Sequence, residues 1–522
     1  MAAHWLRSCI KGHASCIQSH GKQYSPTRVV DLQHADGSEV PRLLQHVELD
    51  EPYVALSHRW GMTGLPATTR VNLQQRLRSI PVAELSPILR DVVVVTRELG
   101  FRYIWVDALC IIQDSESDWL NEASKMSDVY SGASLTIAAA EAEGHSEGMF
   151  RPRRAACFRP FYIDRHKGVP HRKRETPNGD GPLYVFPNTP RVFSGIRPKS
   201  TLDSRGWVLQ EQLLSPRILY FGDGELFWDC ITMSASESWP VAASLLADSN
   251  SQETWALKTI RRAIASGDTS TSHLTRLQDA WRFITANYSA RQLTKAADKL
   301  IAINGILSSL ATIFDDAPVA GMWRKDIWRQ LIWWTETPTP IERPSRIPSF
   351  IAPTWSWLNS KGPIRYHNAT YSGLTRSQDN ATSRDFSELH PQCVVIDVHS
   401  NDNSAGEITG LLTIKGPCFD YNLRKDDMKK SIQKRWNQAK TGINAGVWLL
   451  DEKMELPQVV RCLVMAEDPV AKVLVLLCLV PVDDKDVKAR YKRIGLCHWD
   501  GLSHEIRRYA KQEPVDKTLT IV

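Results

Sequence analysis

Two groups of side chains in this sequence have the types and spacing for chemistry. Ser57, His58, Arg59 and Trp60 lie where the apolar run Tyr53 to Ser57 gives way to a loop, and Asp107 ends a second run, Arg102 to Asp107. Polar and aromatic side chains at the ends of parallel strands line the ligand crevice of an open α/β sheet; plain strand-to-loop chemistry uses the same residue types. Cys110, with His58 as base and Asp107 as orienter, has the composition of a nucleophilic set. It sits in the apolar run ALCII, however, where a cysteine serves as inert packing. The second group is N-terminal. Cys9, His13, Cys16 and His20 fall at i, i+4, i+7 and i+11, one stripe of a helix. These are zinc-type ligands, but one straight helix cannot wrap four ligands around an ion. A metal there needs a break in the helix or a second element. A short helix with a half-buried Cys/His face accounts for the same pattern, so no metal is assigned and the four remain weak candidates.

The elements that must hold these residues follow from periodicity. Arg28 to Leu32 and Glu39 to Leu44, around Asp36-Gly37, suit a hairpin. Tyr53 to Ser57 is a strand. A short helix near Leu73 to Ser79 precedes a longer one over Leu85 to Leu99, stopped by Gly100. Asp91 interrupts it and is expected on its solvated side. FRYIWVDALCIIQDSESDWLNEASKMSDVYSGASLTIAAA, residues 101–140, gives strand, turn with N-cap chemistry, helix from Asp118 to Ser131-Gly132, then the strand Leu135 to Ala140. This is a βαβ unit with an expected right-handed crossover. Residues 141–200 form a Gly-, Pro- and Arg-rich excursion with one strand, Leu183 to Phe186. A helix through Trp207 and Glu211 leads to a hairpin of Arg217 to Phe221 and Glu225 to Cys230. Helices are expected at 254–265, 273–288, 296–310 and 323–334, a Pro-rich linker at 338–353, and strands at 393–398, 411–416, 459–466, 473–480 and 491–497. The division is 1–50 (helix and hairpin), 51–235 (α/β), 236–345 (helical) and 346–522 (β-rich).

Composition narrows the function classes. A net charge of +6 over 522 residues is too mild for a nucleic-acid binder, which needs a concentrated basic face. The one dense basic run, Arg165 to Arg174, is expected to be a solvated loop. No stretch of about 18 apolar residues argues for a membrane span, and no signal peptide is visible at the N-terminus. The ten cysteines show no CxxC pair. These features place the chain in the cytoplasm with reduced thiols.

Three blocks, YVALSHRWG (53–61), residues 101–140 and SRGWVLQEQLLSPRILYFGDGELFWDC (204–230), together resemble the fungal heterokaryon-incompatibility (HET) domain. The Trp5, Cys9, His13, Cys16 opening, DKLIAINGI (298–306) and PTWSWLNSKG (353–362) are similar to flanking parts of many HET-domain proteins. The resemblance implies fungal non-self recognition that ends in programmed cell death. Through the distant similarity of HET to TIR domains, it also implies a TIR/flavodoxin-like, mostly parallel sheet. Some TIR domains cleave NAD at the nicotinamide–ribose bond with a glutamate on the helix after the third strand region, and the matching position here is Glu122. On that reading Glu122 and Asp107 are the catalytic carboxylates. One stabilises an oxocarbenium-like transition state and the other carries a proton or orients a hydroxyl. Ser57, His58, Arg59 and Trp60 line the substrate crevice, with Arg59 on a pyrophosphate and Trp60 stacked on a planar ring.

Each residue has a structural reading too. Glu122 near a helix N-terminus is favourable through the dipole, Asp107 can cap local backbone, and Arg59 can pair with Asp107. Arg205, Trp207, Gln210 and Glu211 either close the site or form a domain interface. NAD is a candidate substrate, and no cofactor is called for. The candidate partner is another copy of this chain or an incompatibility protein. The alternatives to an NAD glycohydrolase-like enzyme are a non-enzymatic assembly module that recruits effectors and a HET-like protein repurposed in metabolism.

Overall fold

The computed structural model describes residues 1–18, 24–33, 40–61, 66–144, 146–151, 161–163, 183–185, 200–222, 224–237, 240, 252–335, 345–346, 352–366, 390–402, 408–422, 447–450, 459–468, 473–482, 490–500 and 514–522. His20, the Asp36-Gly37 turn, the basic run 165–174 and most of the Pro-rich linker lie outside them. The chain divides into two compact units, Met1–Asp203 with Leu214–Thr254, and Ser204–Leu213 with Trp255–Val522.

The first unit is built on one eight-stranded sheet. Its strands are β1 (Arg28–Asp31), β2 (Arg42–Gln45), β3 (Tyr53–Ser57), β4 (Tyr103–Trp105), β5 (Leu135–Ala138), β8 (Arg217–Phe221), β9 (Leu226–Cys230) and β10 (Ser234–Ser236). β6 (Phe161–Ile163) and β7 (Leu183–Val185) pair with each other in a separate antiparallel pair. The order across the sheet is β10-β9-β8-β5-β3-β4-β1-β2. β8, β5, β3 and β4 run parallel at its centre, and antiparallel strands extend both edges. Every residue of β3, β5 and β8 is buried, as expected of parallel strands covered on both faces. The helices are α1 (Ala2–Gly12), α2 (Ala14–Gln18), α3 (Leu73–Arg78), α4 (Pro87–Glu98), α5 (Asp107–Cys110) and α6 (Glu116–Gly132).

α4 crosses from β3 to β4. It opens with Pro87 in the first turn, where a missing N–H costs nothing. It closes against Gly100 (φ +82°), a left-handed position that glycine adopts without strain. Its stripe Leu89, Val92 and Val93 faces Val30, Ile104 and Val106 around a small apolar cavity. Each such side chain contributes about 1.5–3 kcal/mol by leaving water. Asp91 is not simply solvated: its carboxylate accepts from the backbone N–H groups of Met149 (2.6 Å) and Phe150 (3.3 Å) and pins the loop after β5.

α6 crosses from β4 to β5. Ser115 caps it, accepting from the Asp118 N–H. Its buried side anchors to the central strand, with Tyr53 Oη donating to the Val129 carbonyl (2.6 Å) and Tyr130 Oη to the Leu56 carbonyl (3.1 Å).

The second unit joins the helices Gly206–Leu214, Thr271–Ser289 and Asp298–Phe314 to a β-rich region. There the long strand Ile408–Asn422 pairs with Val515–Ile521 through Leu412–Cys418 and with Val459–Asp468 through Cys418–Asn422. Val473–Pro481 and Arg490–Asp500 complete a closed ring of five strands. Phe419, Val460, Val464, Leu474, Leu476 and Ile494 fill part of its core. The helix expected over Trp323 to Trp334 is only Ile327–Gln330. Trp333–Thr335 is instead a strand against Ile364–Tyr366, because aromatic side chains gain more on a paired, buried strand than on a helix.

Candidate active-site crevice

β3 and β4 are parallel neighbours, with Tyr53 opposite Tyr103 and Ala55 opposite Trp105. That register brings the residues after Ser57 level with those after Trp105. Val106 is extended (φ −135°, ψ 121°), and Asp107 is the first residue of α5 rather than the last of a strand. The Asp107 carboxylate therefore turns toward the loop after β3. Its Oδ2 accepts from Trp60 Nε1 at 2.7 Å, and its Oδ1 accepts from the Ala108 N–H at 2.7 Å. His58 Nδ1 lies 3.7 Å from Oδ1. Gln113 Nε2 donates to the Asp107 carbonyl at 2.9 Å and holds the backbone in place. Thr68 ties the β3 loop to α5, donating through Oγ1 to Leu109 and through its N–H to Ala108.

Ser57 and His58 are buried, and Arg59 and Trp60 are half-buried. Asp107 keeps 19% of its side chain open. The loop after β5 comes close on the other side, and a Cβ on Gly144 would stand 3.0 Å from Gly61 Cα. This arrangement offers a fixed carboxylate, an imidazole beside it and a half-buried indole. A positive charge developing next to Asp107 would be stabilised without reorganisation of the site.

Glu122 stands differently. Its side chain is 1% exposed, and Oε1 accepts from Asn121 Nδ2 at 2.8 Å and pairs with Lys125 Nζ at 3.5 Å. Lys125 also donates to Thr27 Oγ1 (3.1 Å), just before β1. Cys110 lies within the field of both Asp107 and Glu122. Burial pushes its thiol up to about 12, and the two carboxylates push it the same way. A protonated, buried thiol is a poor nucleophile, so Cys110 packs the wall behind the crevice. Arg28 completes that wall, with two bonds to Asp118 (2.6 and 3.0 Å) and one to the Cys110 carbonyl (2.9 Å).

The residues at 205–211 belong to the second unit. There Gly206 N–H donates to the Gln292 carbonyl and Arg291 to Gln212 Oε1 (3.1 Å).

The N-terminal stripe is broken by the backbone. α1 ends at Gly12, His13 is extended (φ −100°, ψ 98°), and α2 restarts at Ala14. Cys9, His13 and Cys16 thereby converge on Cys230, the last residue of β9, with one ligand atom from each of the four within 4.8 Å of the others. Sequence spacing offered no sign of Cys230, because it comes from a strand 217 residues beyond His13.

Residues 53–211 match the family model described as heterokaryon incompatibility protein (HET). The matched segment holds the whole crevice and stops short of the N-terminal residues and the β-rich region, which the wider resemblance also touched. No curated protein and no solved structure matches the chain.

Proposed function

Because the chain carries a HET domain over residues 53–211, we propose that it acts in heterokaryon incompatibility as an NAD-cleaving enzyme whose activity kills the cell. The observation that carries this reading is the convergence of His58, Trp60 and Asp107 at the carboxyl ends of two parallel strands. The parallel strands β4-β3-β5-β8 follow the doubly wound order 2-1-3-4, whose switch point lies between β3 and β5; the loop after β3 that carries His58 and Trp60 borders it, and Asp107 joins from the β4 side. That order also supports the TIR/flavodoxin-like assignment.

In this reading Asp107 faces the ribose and stabilises positive charge as the nicotinamide bond breaks. His58 orients Asp107 and exchanges a proton with the ribose hydroxyl or the attacking water. Trp60 presents its ring to the planar base, and Arg59 meets the pyrophosphate. Glu122 is the second carboxylate, one layer behind the crevice. It reaches substrate only if its pair with Lys125 opens.

The test is NAD loss and nicotinamide release in cells induced to express the wild-type chain, Asp107→Asn or Glu122→Gln at matched soluble abundance. Loss with the wild type and not with Asp107→Asn supports the mechanism. Loss that disappears with Glu122→Gln alone moves the chemistry to α6. Cell death at constant NAD overturns NAD cleavage and favours an assembly module that recruits effectors.

A further inference from the structure

The geometry points to a structural zinc site formed by Cys9, His13, Cys16 and Cys230, which clips the N-terminal helices to the edge of the sheet. The ligand set is three thiols and one imidazole, a composition that zinc takes in closed, four-coordinate sites. His13 Nδ1 lies 3.5 Å from Cys230 Sγ and 4.0 Å from Cys16 Sγ. A tetrahedron with metal–sulfur bonds of about 2.3 Å and metal–nitrogen bonds of about 2.0 Å has edges of roughly 3.5–3.8 Å. All four ligand atoms lie within 4.8 Å of one another, a spacing that small side-chain rotations bring to such a tetrahedron. The break at His13 and the arrival of β9 supply the two features that a single helix lacks.

The surroundings match the charge of a loaded site. Cys9, Cys16 and Cys230 are fully buried, so three thiolates alone are not tolerated there. Binding of Zn²⁺ sends the three thiol protons to solvent and leaves a net charge of one negative. Arg217, itself buried, faces that charge: Nε donates to Cys9 Sγ at 3.2 Å, and another of its nitrogens holds the Cys16 carbonyl at 3.1 Å. The Met233 N–H donates to Cys230 Sγ at 3.3 Å, and Thr232 Oγ1 lies 3.4 Å from Cys16 Sγ. Such partners orient metal ligands and offset their charge. Trp5, on the turn before Cys9, packs on Trp228 of β9 with ring centroids 6.3 Å apart, so the clip closes a contact already made by the core. Three ligands precede the HET-matched segment and the fourth follows it. The metal would therefore tie its two flanks together and hold the sheet edge on which β8 and β9 depend. This inference stands apart from NAD cleavage and survives the failure of that proposal.

The test uses the full chain, expressed with zinc in the medium and purified without chelator. Elemental analysis should find close to one zinc per chain in the wild type and in Cys393→Ser, a buried thiol outside the cluster. Cys230→Ser should retain less than about a tenth. His13→Cys keeps four ligands and should keep the metal. Cobalt added to the stripped chain should give the charge-transfer band of a thiolate-bound tetrahedral ion, and that band should strengthen in His13→Cys. Two results overturn the proposal: equal zinc in the wild type and Cys230→Ser, or a cobalt spectrum without thiolate bands. A Cys9–Cys16 disulfide in the freshly denatured wild type also overturns it. Should Cys230→Ser fail to fold, the His13→Cys spectrum decides alone.

Discussion

At the crevice, Asp107 is partly open and bonded to the Trp60 indole, whereas in the cysteine–histidine cluster all three sulfurs are sealed beneath α1, α2 and β9. Both sets cross between elements of one sheet. The crevice draws on two strands that are neighbours in register, so its residues sit in short segments that end together. The cluster draws on one helix pair and a strand from the far side of the matched segment. An open carboxylate can remain charged because water screens it, and it stays available to a substrate. A sealed polar cluster must be neutralised from within; Arg217 donates to Cys9 Sγ, and the four ligand atoms lie within 4.8 Å of one another. On the two proposals above, openness goes with the reactive site and closure with the structural one.

The largest effect should come from Asp107→Asn. The amide carries no charge and keeps one acceptor, so it serves Trp60 Nε1 or the Ala108 N–H but not both, and NAD loss should fall by about 100-fold or more. The melting temperature should fall only slightly, since one hydrogen bond of a partly solvated side chain, worth about 1 kcal/mol, is lost. A large fall in melting temperature would make Asp107 a structural residue and erase the contrast.

Arg217→Met tests the sealed side. It strands the negative charge of the cluster and leaves the carbonyls of Ser134 and Cys16 without this donor. The unfolding free energy in urea should drop by about 3 kcal/mol. A loss below about 1 kcal/mol would say that the cluster carries no charge for the guanidinium to balance.

Glu122→Gln sharpens the comparison between two carboxylates. Glu122 is sealed and paired with Lys125, so the substitution should cost about 1–2 kcal/mol of stability and reduce NAD loss less than Asp107→Asn does. Abolished NAD loss at unchanged stability would reverse the ranking of open and sealed groups.

The smallest effect belongs to Lys299 in the second unit, a sealed cation held by backbone carbonyls. Burial lowers its ammonium to about 7, although the carbonyls of Ser360 (2.7 Å) and Trp357 pull the other way. Between about pH 7 and the ordinary lysine range near 10.4, the unfolded chain binds a proton there that the folded chain does not. Stability should therefore rise with pH across that window and level off above it. Lys299→Met should flatten the rise in urea titrations at pH 7, 8 and 9. An unchanged slope would show that the two carbonyls hold the charge in place.

Much of the α/β unit was legible because its signals are local. β3, α4, β8 and the helix of residues 116–132 follow from apolar periodicity, the Ser115 cap and the Gly100 stop, all of which act within one turn of chain. Five strands of the C-terminal region were legible in their apolar runs, whereas Val515–Ile521, largely exposed and polar in its first half, was not. The tryptophans near 323–334 were misread as a helix because their pairing partner, Ile364–Tyr366, lies some thirty residues away.

Local residue types decided the parts of each site, and packing decided which parts meet. Residue order determined that His58 and Trp60 follow a buried strand and that Asp107 follows another, since strand ends are set by where apolar runs stop. It also determined that Cys9, His13 and Cys16 share one stripe. Only the tertiary structure separated open Asp107 from sealed Glu122, because burial depends on what packs over a side chain from elsewhere in the chain. Only it brought Cys230 to Cys9, His13 and Cys16. A tetrahedron needs a ligand from another direction, and no spacing along one helix provides that direction.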